Sequence, residues 1–181
     1  FRITPFSQPH NLDADLAAAD FGAHQDTRVM AVALSNIGQS VPPSTAQSVT
    51  VEQFARAFCT LHGLDSGKAS AERERYARTA HRGAFVVQFD GDTPVACGSL
   101  AVEGKFAGIF GMVTAAEFRG RGVATAIVAK LLNEARAAGA ETAYLQVEAD
   151  NAPARRAYSK FGFRDRYAYW YRAPPGCDDN L

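Results

Sequence analysis

The residues with the clearest capacity for chemistry are those of RGRGVAT, which run from position 119 to position 125. Its two glycines would let the backbone approach an anion closely, and an arginine side chain can fork onto phosphate oxygens. The stretch lies where a predicted strand gives way to a helix, and the unpaired amides of a helix N-terminus favour negative charge. The pattern therefore predicts a phosphate site, with a Gly-rich turn carrying two solvated arginines as the alternative. The residues concerned are Arg119, Gly120, Arg121, Gly122, Val123, Ala124 and Thr125.

Two common phosphate-binding loops fit this stretch poorly. A Walker A loop needs a Lys followed by Ser or Thr after its glycines, and this chain has neither pair there. A dinucleotide fingerprint needs Gly or Ala where this chain has Thr125, together with an acid near the end of the next strand. Glu141 follows the glycines at about the required 20 residues, but it precedes its predicted strand.

A third loop fits without such conflicts. Residues 119–124 match the pattern Arg/Gln-x-x-Gly-x-Gly/Ala, and YLQVEADNAPARRAYSKFGF follows at 144–163. The second segment predicts a strand, an asparagine, a short helix with a tyrosine, and a Gly-Phe pair. Together the two segments resemble the signatures of the GCN5-related N-acetyltransferase (GNAT) family, and the resemblance covers about residues 50–173.

This resemblance implies that acetyl-CoA, as a cosubstrate, lies in a gap between the strand that ends at Thr114 and the strand 142–148. Backbone groups of Met112, Val113 and Thr114 would pair with the pantetheine arm and polarise the thioester, and Gly111 could supply the bulge that opens the gap. Residues 119–125 would hold the pyrophosphate.

The same resemblance gives roles to two residues of the second segment. Asn151 would contact the pantetheine or cap the following helix, and these two roles are compatible. Tyr158 would be the general acid that protonates the departing CoA thiolate, with a packed aromatic ring as the alternative.

The general base is the least defined part of the predicted site. Many relatives place a carboxylate on the strand before the loop, but FAGIFGMVT at 106–114 contains none. Glu103 is our first candidate, and Glu148 or a bound water are the others. A solvated glutamate at a strand end is the alternative for both carboxylates.

The resemblance also implies where the acceptor would bind. Predicted helices at 51–62 and 69–80 would wall the acceptor side. The aromatic residues of the strand 167–171 would line the acceptor site, belong to the core, or form a homodimer interface. The acceptor itself, a small-molecule or peptide amine, is not written in these motifs.

Composition limits the classes of partner. Lys plus Arg is 19 and Asp plus Glu is 19 among 181 residues, so a general nucleic-acid surface is not expected. The three cysteines and four histidines show no metal-ligand spacing, which favours a metal-free protein in a reducing, cytoplasmic compartment. No apolar run is long enough to span a bilayer, and no signal peptide is visible.

Hydrophobic periodicity from residue 50 onward predicts the order α-α-β-β-β-α-β-α-β. We therefore expect a mixed α/β (α+β) domain at 51–173, with a mostly antiparallel sheet, splayed central strands and flanking helices. A linker at 36–50 would join it to an N-terminal appendage at 1–35, and residues 174–181 would form a tail. The helix, Phe-Gly junction and strand predicted at 16–34 echo those at 156–172, which favours a remnant of a second copy of the fold.

These features lead to one preferred function and two rivals. The preferred function is an acetyl-CoA-dependent N-acetyltransferase that transfers the acetyl group directly to an amine. The first rival is a non-catalytic CoA-binding sensor, because the central strand lacks an acid. The second rival is a nucleotide-binding oxidoreductase, which the antiparallel strands before the loop disfavour.

Overall fold

The computed structural model describes residues 1–38, 45–79 and 83–177. Its main elements, in chain order, are β1 (Arg2–Ile3), α1 (Leu12–Ala18), β2 (Gly22–Ala33), β3 (Gln47–Ser48), α2 (Val51–His62), α3 (Ser66–Thr79), β4 (Gly83–Asp90), β5 (Thr93–Glu103), β6 (Phe106–Thr114), α4 (Val123–Ala137), β7 (Thr142–Glu148), α5 (Ala152–Ser159) and β8 (Arg164–Ala173). The order of helices and strands predicted from residue 50 onward is confirmed. Parts of the predicted linker, of the end of the second helix and of the tail lie outside the described residues.

Within the described ranges, the strands form one mixed sheet in the order β1-β8-β2-β7-β6-β5-β4-β3. Neighbouring strands run antiparallel except β6 and β7, which are parallel. The predicted mixed and mostly antiparallel sheet is therefore confirmed. The one parallel pair joins the two halves of the sheet at its centre.

Local sequence sets the helix ends. The Thr50 hydroxyl accepts a hydrogen bond from the Gln53 amide, and the Gln53 side chain accepts one from the Thr50 amide, a capping box that begins α2. Gly63 ends this helix in the left-handed conformation, at φ 61°. The Asp65 carboxylate accepts a hydrogen bond from the Lys68 amide at 2.9 Å, so α3 begins at residue 66, earlier than periodicity predicted.

Helices cover the sheet on both faces. The face toward α4 and α5 holds the larger buried cluster, which includes Ile127 and Leu131 of α4 and Leu145 of β7. The face toward α2 and α3 holds a second, aromatic cluster around Phe54. Gly98 lets α4 lie close to β5, because an ideal Cβ at this residue would come within 2.7 Å of Ile127 Cγ2.

The N-terminal segment contributes a strand to the middle of the sheet. Strand β2 lies between β7 and β8, and it pairs with β7 from Thr27 to Ala33. On the face toward α4, Met30 and Val32 of β2 are buried in the larger cluster. The domain division at residues 35–51 stays a prediction, but the sheet itself runs across that boundary.

The predicted echo between the two ends of the chain has a structural counterpart. Helix α1, a Phe-Gly junction and β2 follow one another in the same order as α5, a Phe-Gly junction and β8. Asp13 anchors α1 to β8, since its carboxylate accepts hydrogen bonds from Trp170 Nε1 at 2.8 Å and Arg172 Nε at 2.7 Å. These two hydrogen bonds, chiefly that from Arg172, lower the pKa of Asp13. Descent from a second copy of the fold stays a prediction.

The cysteines are free thiols, two of them inside the protein. Burial raises the pKa of Cys59, and it raises the pKa of Cys97 to about 12, so neither forms a thiolate at neutral pH. Among the residues that the structure describes, no helix has both the length and the apolar character needed to cross a membrane. The cytoplasmic location stays a prediction.

Candidate active site

Strands β6 and β7 run side by side over only part of their length. Their pairing ends at Ile109 and Leu145, although β6 continues to Thr114 and β7 to Glu148. Because the strands are parallel, their free ends diverge toward the same side of the molecule and enclose a V-shaped gap. The predicted splay of the central strands is therefore confirmed.

Strands β6 and β7 form the two walls of the gap, and each is paired on its outer side with another strand. Strand β5 pairs with β6 as far as Ala96 and Thr114, and β2 pairs with β7 as far as Thr27 and Glu148. Over this length, the inner edges of β6 and β7 form no strand pairing with each other. They therefore present strand-type donors and acceptors to whatever enters the gap.

A β-bulge at Gly111 turns β6 away from β7. Strand β5 pairs Cys97 with Val113 but Ser99 with Phe110, so one residue of β5 faces two of β6. Gly111 adopts φ 59°, a left-handed conformation that favours glycine. The Ser99 hydroxyl donates to the Phe110 carbonyl at 3.1 Å and fixes the bulge from the β5 side.

Successive backbone amides of β6 point alternately toward β5 and toward the gap, and one hydrogen bond shows which amides face which side. The Ala115 amide donates to the Val95 carbonyl of β5 at 2.9 Å, and amides two residues apart on a strand point the same way. Val113 therefore directs its amide toward β5, whereas Met112 and Thr114 direct theirs toward the gap. The direction of these amides favours Met112 and Thr114 over Val113 as donors to a thioester carbonyl.

The predicted pyrophosphate loop lies directly beyond β6 and begins α4. Gly120 and Gly122 both have positive φ, at 75° and 80°. Gly122 is the N-cap and has no side-chain capping bond, and α4 begins at Val123. Among the described residues, no backbone amide from 120 to 125 donates a hydrogen bond of normal geometry. The loop thus offers a run of amide donors at the positive end of a 15-residue helix.

The two arginines of the loop are exposed at its rim. Arg119 Nε donates to the Thr114 carbonyl at 3.3 Å, which ties the loop to the end of β6. The Arg121 guanidinium lies 5.2 Å from the centroid of the Phe118 ring. Both side chains are held next to the loop amides, where they could reach an anion without a change of backbone.

The second segment lies across the gap, beyond the end of β7. Asn151 caps α5, since its side-chain oxygen accepts a hydrogen bond from the Ala154 amide at 3.2 Å. The capping role predicted for Asn151 is therefore confirmed, and the residue as a whole is exposed. Tyr158 is buried in the larger cluster, with its ring 6.2 Å from that of Phe163. Its hydroxyl donates to no other described residue, and burial raises its pKa above the ordinary value of 10.0.

The two candidate carboxylates lie at opposite ends of the sheet. Glu148 ends β7 at the open end of the gap and is exposed. Glu103 pairs with Phe106, beside the closed end, six residues along β5 from Cys97. At about 3.3 Å per residue, this places Glu103 about 20 Å from the bulge. The structure does not bring Glu103 together with the other predicted site residues, because strand β5 runs away from the gap toward its hairpin.

A second tyrosine, which the sequence did not single out, reaches the bulge from the opposite face. Tyr76 of α3 is buried, and its hydroxyl lies 2.6 Å from where a Cβ on Gly111 would stand. Its ring packs edge-on against Phe54 at 4.8 Å, and the Arg75 guanidinium stacks on it at 4.2 Å. Burial raises the pKa of Tyr76. Helix α3 has a mostly polar sequence, so one aromatic residue in it carries no periodic signal.

Residues 51–163 match the family described as Acetyltransferase (GNAT) family. This match spans more than half of the chain, and it covers the splayed strands, the loop at the start of α4 and helix α5. The chain belongs to the GNAT acetyltransferase family.

Relatives agree with this assignment. An uncharacterized N-acetyltransferase, YobR, from Bacillus subtilis is 28% identical over 125 residues, which are 69% of this chain and 49% of that protein. A GCN5-related N-acetyltransferase from Kribbella flavida has a similar fold (TM-score 0.69, 19% identity) over 97% of this chain and 67% of its own. One from Sphaerobacter thermophilus has a TM-score of 0.71 at 18% identity, over 98% of this chain and 61% of its own. The chain thus spans about half the length of the curated relative it matches.

We expect Gly111→Ala to lower the free energy of unfolding by about 2–4 kcal/mol, because it adds steric contact with Tyr76 to the strain of a positive φ. Gly104→Ala is the matched control, since Gly104 also has a positive φ (55°) but an added Cβ would meet nothing within 4 Å. It should cost about 1 kcal/mol. Urea denaturation of the two variants measures the difference, and equal losses would contradict a close contact at the bulge.

Proposed function

We propose that this chain binds acetyl-CoA in the gap between β6 and β7 and transfers its acetyl group directly to an amine. One combined observation carries the proposal. In the described part of the chain, the gap is bordered by two strand edges that have no neighbouring strand, and the loop at its mouth has backbone amides that donate no hydrogen bond. An acyl-pantetheine chain that ends in a pyrophosphate matches both features in one ligand.

The pyrophosphate would bind the amides of residues 120–125, with Arg119 and Arg121 donating from the rim and the Thr125 hydroxyl nearby. The pantetheine arm would lie along β6 as an added strand. Its amide groups would pair with Met112 and Thr114, whose backbone faces the gap. The side-chain nitrogen of Asn151, an exposed residue, would contact the arm from the α5 side.

The reaction would proceed through a tetrahedral intermediate. The attacking nitrogen forms a bond to the thioester carbon, and backbone amides of β6 stabilise the negative charge that develops on its oxygen. The carbon–sulfur bond then breaks, and Tyr158 donates a proton to the departing thiolate. Its raised pKa keeps the hydroxyl protonated at neutral pH.

The amine must lose a proton during the transfer. Of the two predicted carboxylates, Glu148 is the one at the open end of the gap, so it, or a water held by it, replaces Glu103 as the proposed base. We also propose a homodimeric state and a cytoplasmic location for the protein.

We expect acetyl-CoA at a hundredfold excess over its Kd to raise the Tm by about 5–10 °C, since binding to the folded state adds about 3 kcal/mol. Gly122→Glu should abolish this shift, because its carboxylate would stand among the amides that bind the pyrophosphate. Gly139→Glu is the control: Gly139 also has a positive φ and open space around it, but it lies beyond the other end of α4. Thermal unfolding of each variant with and without acetyl-CoA gives the result.

Four outcomes, three from thermal unfolding and one from an assay of turnover, would count against the proposal. An equal loss of the shift in both variants would indicate general damage, and no shift in the unchanged protein would remove the CoA site. A shift with NAD(P) but not with acetyl-CoA would favour an oxidoreductase. A normal shift with no CoA release across a panel of amines would favour a sensor.

We expect Tyr158→Phe to lower kcat about a hundredfold while leaving the Tm shift with acetyl-CoA unchanged, because the ring keeps its packing and loses only the acid. Burial raises the pKa of Tyr158 above its ordinary value of 10.0, so its acid form should persist, and its contribution should stay constant, from pH 7 to pH 9. Steady-state CoA release measured across this range tests both points. Unchanged kcat in the variant would remove Tyr158 from the acid role.

A further inference from the structure

Aromatic rings line one face of the sheet beside the gap. Tyr144 pairs with Gly108 of β6 and with Ala31 of β2, and Tyr167 pairs with Val29, two residues along β2. Because paired residues share a face, these positions point the same way. The face also carries the side chains of Phe106, Phe110, Tyr169 and Tyr171.

This face is the one opposite α4 and α5. Residues that alternate with it, such as Met30 and Leu145, belong to the cluster under those helices. Helix α1 also lies on that other side, since Asp13 binds Trp170 and Arg172, which alternate with the tyrosines. Helix α2 shares the aromatic face but packs against β4, β5 and β6.

Phe110 and Tyr144 form the part of this face nearest to the gap. Their rings meet edge to face, with centroids 6.0 Å apart and planes at 85°. Gly108 makes room for them, since a Cβ there would lie 2.5 Å from the Phe110 ring and 2.8 Å from that of Tyr144. The two rings therefore lie low over the sheet and leave a shallow aromatic floor.

This floor adjoins the site of acyl transfer. Phe110 immediately precedes the bulge, and Tyr144 immediately precedes Leu145, the last residue of β7 that pairs with β6. Phe110 keeps 37% of its surface exposed. An acceptor that enters the gap from this face must pass over the two rings.

The face also has the character of a cation-binding surface. Arg2 already places its guanidinium 4.1 Å from the centroid of the Tyr169 ring, a cation–π contact on this same face. The Tyr169 hydroxyl donates to the side-chain oxygen of Gln146 at 2.6 Å. The side-chain NH2 group of Gln146 is therefore left for other contacts. Carboxylates lie at both ends of this face, with Glu148 at the mouth of the gap and Glu103, which pairs with Phe106, at the closed end.

On the basis of the proposed function, we infer that the acceptor is a small aralkylamine, an amine that is cationic in solution and carried on an aromatic group. Its ring rests on Phe110 and Tyr144, and its nitrogen extends into the gap near the bulge. Phe110 and Tyr144 are then specificity-determining residues for the acceptor. They have no part in holding CoA.

The test compares phenethylamine with ethanolamine as acceptors, by CoA release at saturating acetyl-CoA. The unchanged protein should have a kcat/KM for phenethylamine about two- to tenfold higher, the ratio expected from one ring–ring contact. Phe110→Ala should remove most of this preference without changing the KM for acetyl-CoA. Phe106→Ala is the matched control, since Phe106 lies on the same strand and face, is 57% exposed and is farther from the gap.

Equal kcat/KM values for the two amines in the unchanged protein would overturn the inference while leaving acetyl transfer intact. A Phe106→Ala effect as large as that of Phe110→Ala would also contradict it. If neither amine is acetylated, NMR of the CoA-bound protein still decides. Phenethylammonium should shift the signals of Phe110 and Tyr144 more strongly than neutral phenethyl alcohol does, and an absence of shifts at these residues would reject the site.

Discussion

The parting of β6 from β7 is the constraint on which the rest of the structure depends. Two parallel strands that separate expose a row of backbone donors and acceptors on each inner edge, and such groups are costly to leave unpaired when buried. The separation is nonetheless imposed. Gly111 turns β6 away through a bulge, and β5 and β2 hold the two walls from outside up to the ends of the strands.

The packing on both faces keeps the gap from closing. On one face, Gly98 lets α4 press against β5 and the neighbouring Met112 side chain, so the base of β6 is fixed by a tightly packed helix. On the other, Tyr76 holds its hydroxyl against Gly111, at the centre of an aromatic cluster. The wall formed by β7 depends on β2, a strand drawn from the N-terminal segment. An added strand-like ligand would satisfy the inner edges without any rearrangement of this frame, which is the physical basis for proposing pantetheine there.

Sequence reasoning succeeded where the cause of a structure is local. The bounds of α2, the Asn151 cap and the alternation of β4 to β8 all depend on residues within a few positions of one another. It was least informative where placement depends on distant pairing. The position of β2 between β7 and β8 depends on contacts between residues more than a hundred positions apart, and no local pattern encodes them. Glu103 ends a strand just as Glu148 does, and only the direction of each strand in the sheet separates the end beside the gap from the end remote from it. Tyr76 has no periodic signal, because its importance comes from the absence of a side chain at Gly111.

The central claim is that the gap-facing backbone of β6 binds the pantetheine arm, and amide hydrogen exchange tests it most directly. The account predicts that CoA slows the exchange of the Met112 and Thr114 amides. The Ala115 amide, which already donates to Val95, should be protected with and without CoA. Unchanged exchange at Met112 and Thr114 in a protein saturated with CoA would contradict the account.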